Sequence, residues 1–242
     1  MTTVALAIVA SMLAPQPAAD RASSGDPQIG RAIGRHVRDD LRAMISRPSL
    51  LVLGTGATIA LAVRPKDRDV TRSIAAADSL ERALEPGNEI GDGYVQLAAA
   101  AGLWLAGHAT DRPRLSGTGA DLIEAQLLNG VITKGLKYAV GRDRPDGGRY
   151  SFPSGHTSAT FATAAVIRHR FGWKAGIAAY AVGAYVGAAR LGERQHYLSD
   201  VVFGAALGAV TGRAVAVAHN PRARLTATAI PLRGGFAVVF VR

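Results

Sequence analysis

Four stretches without Asp, Glu, Lys or Arg constrain what this chain can fold into. They are rich in alanine and glycine and cover residues 49–63, 93–110, 175–189 and 201–212. Alanine favours helix over strand, and uncharged stretches of this length are typical of helices that are buried or cross a membrane. Pro65, Pro86 and Pro113 separate the stretches, because proline disrupts a helix interior. We therefore predict an all-α fold, a helical bundle of about six core helices.

Composition changes divide the chain into three parts. Residues 1–30 combine an apolar run with a Pro- and Ser-rich segment, which resembles a secretory signal peptide and a flexible leader. Residues 220–242 form a tail in which two β-type runs flank Arg233-Gly234-Gly235, and this pattern predicts a short hairpin. Residues 31–219 would form the helical domain, with an amphipathic helix over 31–45 followed by helices over 49–63, about 70–84, 93–109, 118–139, 154–169, 173–190 and 198–218.

The charge of the chain favours anionic partners. Its 242 residues carry a formal charge of +10 and include no cysteine, which excludes disulfides and thiol chemistry. The basic residues are scattered along the chain instead of forming one tract, so we predict no nucleic-acid partner. An anionic substrate or an anionic membrane surface fits this charge better.

Three short polar clusters lie between Lys137 and Asp200, each beside a predicted helix end. They contain Lys137 and Arg144; Ser154, Gly155 and His156; and Arg190, His196 and Asp200. Cations this numerous are tolerated together only around a shared anion. We therefore expect the clusters to converge on a pocket for one phosphate group, with no metal and no other cofactor.

The second and third clusters differ in the chemistry that they predict. Ser154 stands at an N-cap position, so the amides of Gly155 and His156 would bind an oxyanion, and His156 would serve as a general acid. His196 and Asp200 are four residues apart, which would place them on one helix face. A carboxylate there could accept the Nδ1 hydrogen of His196 and leave Nε2 to attack.

These clusters resemble the signature of the type 2 phosphatidic acid phosphatase (PAP2) superfamily, which also includes class A acid phosphatases and vanadium haloperoxidases. The resemblance covers residues 120–215, with Ala189 at a position where the pattern has Ser or Ala. It implies a metal-independent phosphatase that hydrolyses phosphate monoesters, lipid phosphates or diphosphates through a phosphohistidine. The resemblance also implies that His196 is the nucleophile, that Asp200 orients it and that His156 protonates the leaving group. The residues that it implies for phosphate binding are Lys137, Arg144, Ser154, Gly155 and Arg190.

Two alternative functions stay open. The same pocket would hold vanadate, as an inhibitor of a phosphatase or as the cofactor of a vanadate-dependent haloperoxidase. A catalytically silent envelope protein could use the fold for binding, although the presence of His156, His196 and Asp200 argues against it. A zinc site on these three residues is disfavoured because the neighbouring cations would repel a metal ion.

The sequence predicts a location in the cell envelope. A membrane span needs about 20 apolar residues, and the uncharged stretches here are shorter, which favours an exported, soluble periplasmic domain. The alternative is an uncleaved enzyme with six spans in the inner membrane, its site facing the periplasm and its Arg-rich residues 31–47 inside. An apolar entrance between the helices would suit a lipid phosphate as substrate, whereas an open bundle would suit a soluble phosphate monoester.

Overall fold

The computed structural model describes residues 38–76 and 82–219, together with the backbone of 226–232 and 235–241. Residues 38–44 are helical. The helices that follow are α1 (Arg47–Val63), α2 (Asp67–Ala75), α3 (Pro86–Gly91), α4 (Gly93–Ala109), α5 (Pro113–Val140), α6 (Gly155–Phe171), α7 (Trp173–Gly192) and α8 (Leu198–Ala218). A 3₁₀ turn, Arg64–Lys66, joins α1 to α2. The predicted all-α bundle is confirmed.

Most predicted helix limits agree with the structure to within a few residues. The helix predicted over about 70–84 is an exception, because α2 ends at Ala75 and α3 begins at Pro86. We expected Pro86 only to separate helices. Proline is well tolerated in the first turn of a helix, and here Pro86 is the first residue of α3. The leader over residues 1–30, and the first part of the amphipathic helix predicted over 31–45, lie outside the described residues.

Glycines on α8 bring this helix unusually close to α6. Gly204, Gly208 and Gly212 are spaced by four residues and so lie along one face of α8. A Cβ at Gly208 would lie 2.0 Å from the Ser158 carbonyl oxygen, and one at Gly212 would lie 2.1 Å from the Ala162 carbonyl oxygen. No larger residue fits these positions, so the glycine stripe fixes the contact on which the candidate site is built.

The core lies where α4, α5, α6 and α8 meet. Leu122 and Ile123 of α5 pack with Val166 of α6 and Val215 of α8, and all four are buried. Several core contacts are made by alanine, including Ala125, Ala164 and Ala214, which are fully buried. Small side chains therefore give close helix contacts with little side-chain volume between them.

The direction of the helices brings polar residues to one end of the bundle. The Ser154 amide before α6 donates to the Asp200 carbonyl in α8 at 3.0 Å, and the His196 amide donates to the Arg190 carbonyl in α7 at 3.3 Å. The C-terminal ends of α5 and α7 thus meet the N-terminal ends of α6 and α8. This end of the bundle carries all three polar clusters.

Two strands follow the bundle along the chain. β1 (Thr226–Leu232) and β2 (Gly235–Val241) pair antiparallel, with Thr226 opposite Val241 and Leu232 opposite Gly235. The short hairpin predicted for the tail is therefore present. The domain limits at residues 30 and 219 stay predictions.

Candidate active site

The N-terminus of α6 forms one wall of the candidate site. Ser154 is the N-cap residue, with an extended backbone (φ −68°, ψ 115°). Its hydroxyl does not cap the helix, because this fully buried group hydrogen-bonds to Thr157 Oγ1 at 3.0 Å. The amides of Gly155 and His156 belong to the first turn, whose N–H groups have no helical acceptor. This turn is therefore suited to bind an anion through its backbone.

Lys137 lies opposite this turn, at the end of α5. A Cβ at Gly155 would lie 3.8 Å from Lys137 Cε, so glycine leaves the space between the turn and the ammonium group open. Lys137 Nζ donates to the Tyr150 carbonyl at 2.6 Å, which holds the side chain in place. The helix ends at Gly141, whose left-handed backbone (φ 61°) turns the chain into the loop that carries Arg144.

Two arginines complete the cationic group. Arg190, in the last turn of α7, is 7% exposed and donates to Asn88 and to Glu193, the latter at 2.7 Å. Arg144 donates to Gln195 in the loop before α8. The charges of Arg144 and Arg190 both act on Lys137, which shows that the three cations share one region.

Arg144 and Arg190 each retain a donor without an acceptor. Their Nε atoms are buried and have no hydrogen-bond partner within the described part of the protein. A buried donor left without a partner costs about 1–3 kcal/mol, so such groups are rare unless a ligand completes them. Two guanidinium groups in this state, beside a lysine and a helix N-terminus, are suited to bind an oxyanion.

His196 lies in the loop between α7 and α8 instead of on a helix. The sequence suggested that His196 and Asp200 share a helix face, but α8 begins at Leu198 and Asp200 belongs to its first turn. His196 Nδ1 is 3.9 Å from Asp200 Oδ2, which is too long for a hydrogen bond, and no described residue bonds to this nitrogen. Asp200 is therefore placed on the Nδ1 side of the imidazole without holding it directly.

Asp200 itself is fixed by several donors. Its carboxylate accepts from the Ser151 hydroxyl, from the Tyr197 amide at 2.9 Å and from Arg142 Nη1 at 2.6 Å. The residue is fully buried. A carboxylate held in this way offers a fixed negative charge beside His196.

Arg142 connects this site to a distant part of the chain. Its Nη2 donates to Asp67 Oδ2 at 2.8 Å, and Asp67 Oδ1 accepts from the Ser199 amide at 2.8 Å. Burial opposes the charge of Arg142, but the carboxylates of Asp67 and Asp200 outweigh burial and raise the pKa of the guanidinium. The sequence pattern did not require Arg142, and nothing local to Asp67 signals its role, since it precedes Arg142 by 75 residues.

The surroundings of His196 favour its neutral form. Burial is the main cause that lowers its pKa to about 4, and the charges of Lys137 and Arg190 lower it further. Asp200 acts in the opposite direction and does not outweigh them. An imidazole with this pKa is deprotonated at neutral pH and so has a lone pair available for attack.

His156 lines a cavity next to the cations. This cavity, of about 370 Å³, lies between α4, α5 and α6 and is lined by Lys137, Gly155 and His156 on one side. The charges of Arg190 and Asp92 both act on His156, so this imidazole lies in the same region as Arg190. Asp92 also caps α4 by accepting from the Tyr94 amide at 2.8 Å, a role that the sequence did not reveal.

The eight predicted site residues therefore lie at one end of the bundle, and the cations among them are suited to bind an oxyanion together with the first turn of α6. The sequence model of the PAP2 superfamily matches residues 118–224, which include all eight. Over these residues the chain is similar to the PAP2 superfamily.

Comparisons with known proteins agree with this family. Over 97 residues the chain is 37% identical to the lipid A 1-phosphatase of Porphyromonas gingivalis, which corresponds to 38% of this chain and 22% of that protein. The chain thus spans less than a quarter of the length of this curated relative.

Two solved structures share the fold. LpxE of Aquifex aeolicus superposes with a TM-score of 0.52 at 24% identity, over 60% of this chain and 90% of that one. The transmembrane PAP2-type phosphatidylglycerolphosphate phosphatase of Bacillus subtilis gives a TM-score of 0.54 at 18% identity, over 73% and 94% of the respective chains. At these identities the likeness extends to the fold.

Proposed function

We propose that this protein is a phosphatase that hydrolyses phosphate esters without a metal ion, through a phosphohistidine intermediate. The observation that carries this proposal is the pair of buried Nε donors on Arg144 and Arg190, which lack acceptors within the described part of the chain. Phosphate oxygens would supply those acceptors, and Lys137 and the first turn of α6 would bind the remaining oxygens. These groups provide the positive charge that metal ions supply in other phosphatases.

The reaction would proceed in two steps. His156 takes up a proton when the negatively charged phosphate binds beside it. First, His196 Nε2 attacks the phosphorus atom, the bond to the leaving oxygen breaks, and the protonated His156 gives that oxygen its proton. Second, water attacks the phosphohistidine, His156 takes a proton from the water, and the bond between phosphorus and His196 breaks to release phosphate. Asp200 would stabilise the positive charge that His196 develops in both steps.

Arg142 would act in this reaction as a positioning residue. Arg142→Lys keeps the charge but loses the planar fork that reaches Asp67 and Asp200 together, so Asp200 loses a fixed donor. We expect kcat to fall by roughly 10- to 100-fold with little change in KM, because phosphate binding does not involve this residue. The matched control is Arg149→Lys, since Arg149 is an exposed arginine in the same loop. Equal kcat in the two variants would show that Arg142 does not position Asp200.

The substrate that fits best is a lipid phosphate. Beyond Lys137 and His156, most of the exposed surface of the cavity is apolar, and Tyr94, Leu97 and Leu127 contribute to it. A phosphate bound at the cations would therefore place the rest of its molecule in an apolar groove. The curated relative acts on lipid A and the Bacillus subtilis protein on a phospholipid, according to their names, which supports the same substrate class.

A lipid substrate agrees with a location in the membrane. Within the described residues two helical segments, Arg47–Ala75 and Leu198–Ala218, are long and apolar enough to cross a bilayer. Large apolar side chains also face outward: Leu51 of α1 is 71% exposed and Val131 of α5 is 73% exposed. Outward apolar faces are unfavourable in water and typical of contact with lipid. A membrane-associated form is therefore better supported than the soluble periplasmic domain that the short uncharged runs favoured.

Aromatic residues mark both ends of the bundle. Tyr94 and Tyr138 are 84% and 62% exposed near the candidate site, and Trp173 is 64% exposed at the other end. Tyrosine and tryptophan are enriched where a membrane meets water. This arrangement supports a location of the candidate site at one face of the bilayer, where it would reach a lipid headgroup.

Phosphate release measured in a chelator tests the proposed function. Lipid phosphates in mixed micelles are compared with soluble monoesters, and we expect turnover in the chelator, inhibition by vanadate, and a kcat/KM at least tenfold higher for lipids.

Leu127→Ala should raise KM for lipids and not for soluble esters, while Ile177→Ala on the outer face of α7 serves as control. Activity that is lost in the chelator and restored by magnesium at the same protein stability would overturn the mechanism. Bromide oxidation with peroxide and vanadate, assayed in parallel, detects haloperoxidase activity.

A further inference from the structure

A second polar cluster lies at the end of the bundle opposite the candidate active site. It consists of Asp40 in the helical residues 38–44, Glu124 in the first half of α5, and His219 at the C-terminus of α8. One ligand atom from each of these residues lies within 4.8 Å of the other two. Lys137 follows Glu124 by 13 residues on α5, which places the two sites about 20 Å apart along that helix.

The carboxylates of this cluster are buried and incompletely paired. Asp40 is 2% exposed and Glu124 is 9% exposed, and the two side chains face each other. Asp40 Oδ1 and Glu124 Oε2 have no hydrogen-bond partner within the described part of the chain. Two buried carboxylates cannot both be ionised at close range unless a positive charge lies between them.

Asp121 and Arg170 orient the imidazole of His219 toward this gap. Arg170 donates from Nε to Asp121 Oδ2, and Asp121 Oδ1 lies 3.3 Å from His219 Nδ1. The other ring nitrogen, Nε2, is then directed to Glu124, 3.4 Å from its Oε2. A histidine whose Nδ1 faces a fixed carboxylate while Nε2 faces further ligands has the arrangement seen around protein-bound metals.

We propose that Asp40, Glu124 and His219 bind one divalent transition-metal ion of the zinc type. Two ligand atoms of a tetrahedral zinc ion, each about 2.0–2.2 Å from the metal, lie about 3.4 Å apart, which matches the separation of His219 Nε2 and Glu124 Oε2. With Asp40, Asp121 and Glu124 all ionised and the imidazole neutral, the negative charge would exceed that of Arg170 by two, which a divalent ion would balance. An imidazole ligand favours zinc over magnesium or calcium.

The ion would join three distant segments of the chain. It would hold residues 38–44 against α5 and against the C-terminal end of α8, closing the bundle on the side away from the phosphate pocket. Its role would be structural, since no group of the candidate active site belongs to this cluster. Hydrolysis would therefore remain independent of metal wherever the metal-free protein stays folded.

Metal content and stability of the full-length, tag-free protein test this inference. After dialysis against buffer with trace zinc, mass spectrometry should find about one zinc per chain. Added zinc should raise the thermal midpoint of metal-free protein by about 5 °C at saturating concentration. Cobalt should give the absorption spectrum of a tetrahedral site with nitrogen and oxygen ligands.

Substitutions distinguish the proposed site from adventitious binding. Glu124→Gln and His219→Ala should lose the bound zinc, the stabilisation and the cobalt spectrum, whereas His108→Ala, which removes an exposed histidine of α4, should keep all three. If Glu124→Gln does not fold, Asp40→Asn provides the same test from a different segment. Zinc that binds equally well to Glu124→Gln, or zinc below about a tenth of an equivalent in the native protein, would overturn the proposal. The proposal would also be wrong if the metal-free protein becomes more stable on acidification and its stability does not respond to zinc. The two carboxylates would then share a proton instead of a metal ion.

Discussion

His196→Ala eliminates phosphate release from every substrate together with the acid-labile phosphoenzyme. We expect kcat to fall by on the order of 10⁴-fold or more, because the substitution removes the atom that forms the covalent bond to phosphorus. The loss should not depend on the leaving group, since no intermediate can form. The low pKa of His196, about 4, means that the native imidazole is ready to attack at neutral pH without a separate base.

Rapid-quench labelling with a phosphate-labelled substrate measures this effect directly. Native protein should show label that is stable in base and lost in acid, and His196→Ala should show none. The variant should still bind vanadate, because Lys137, Arg144 and Arg190 are unchanged, and this binding confirms that the site is folded. His108→Ala controls for the loss of a histidine remote from the site. A phosphoenzyme that survives in His196→Ala would exclude this residue as the nucleophile.

The helices could be predicted because the sequence marks their limits locally. The helices predicted over 93–109 and 198–218 match α4 and α8, and Gly141 and Gly172 follow the ends of α5 and α6, which lie within two residues of the predicted ends. The convergence of the polar clusters could also be predicted, because each cluster stands at a helix end and antiparallel neighbours bring such ends together. Local sequence signals were therefore sufficient for the framework of the site.

The supports of the site could not be predicted in the same way. Asp67 and Asn88 reach Arg142 and Arg190 across 75 and 102 residues, and contacts of this range leave no periodic signal in a single sequence. The spacing of His196 and Asp200 suggested a shared helix face because four residues are one helical turn, yet α8 begins between them. Outward-facing apolar residues such as Leu51 and Val131 also required the structure, since a sequence does not show which helix face is covered.

His156→Ala should produce a defect whose size depends on the leaving group. His156 stands in the anion-binding turn of α6, at the edge of the cavity that would hold the rest of the substrate. This position suits a group that gives a proton to the leaving oxygen. For esters of alkyl alcohols, which leave only when protonated, we expect kcat/KM to fall by about 10²- to 10⁴-fold. For an aryl ester of an acidic phenol, which leaves as an anion, the fall should be about tenfold or less.

The dependence on the leaving group separates the two histidines by their chemistry. A series of aryl phosphates with leaving-group pKa values from acidic to weakly acidic should give a steeper slope of log(kcat/KM) for His156→Ala than for native protein, since the variant cannot neutralise the developing charge. With the most acidic phenol, His156→Ala should still form a phosphoenzyme and should accumulate it, because water attack in the second step also needs His156 as a base. Equal slopes for His156→Ala and native protein, or label trapped on residue 156, would reverse the roles assigned to His156 and His196.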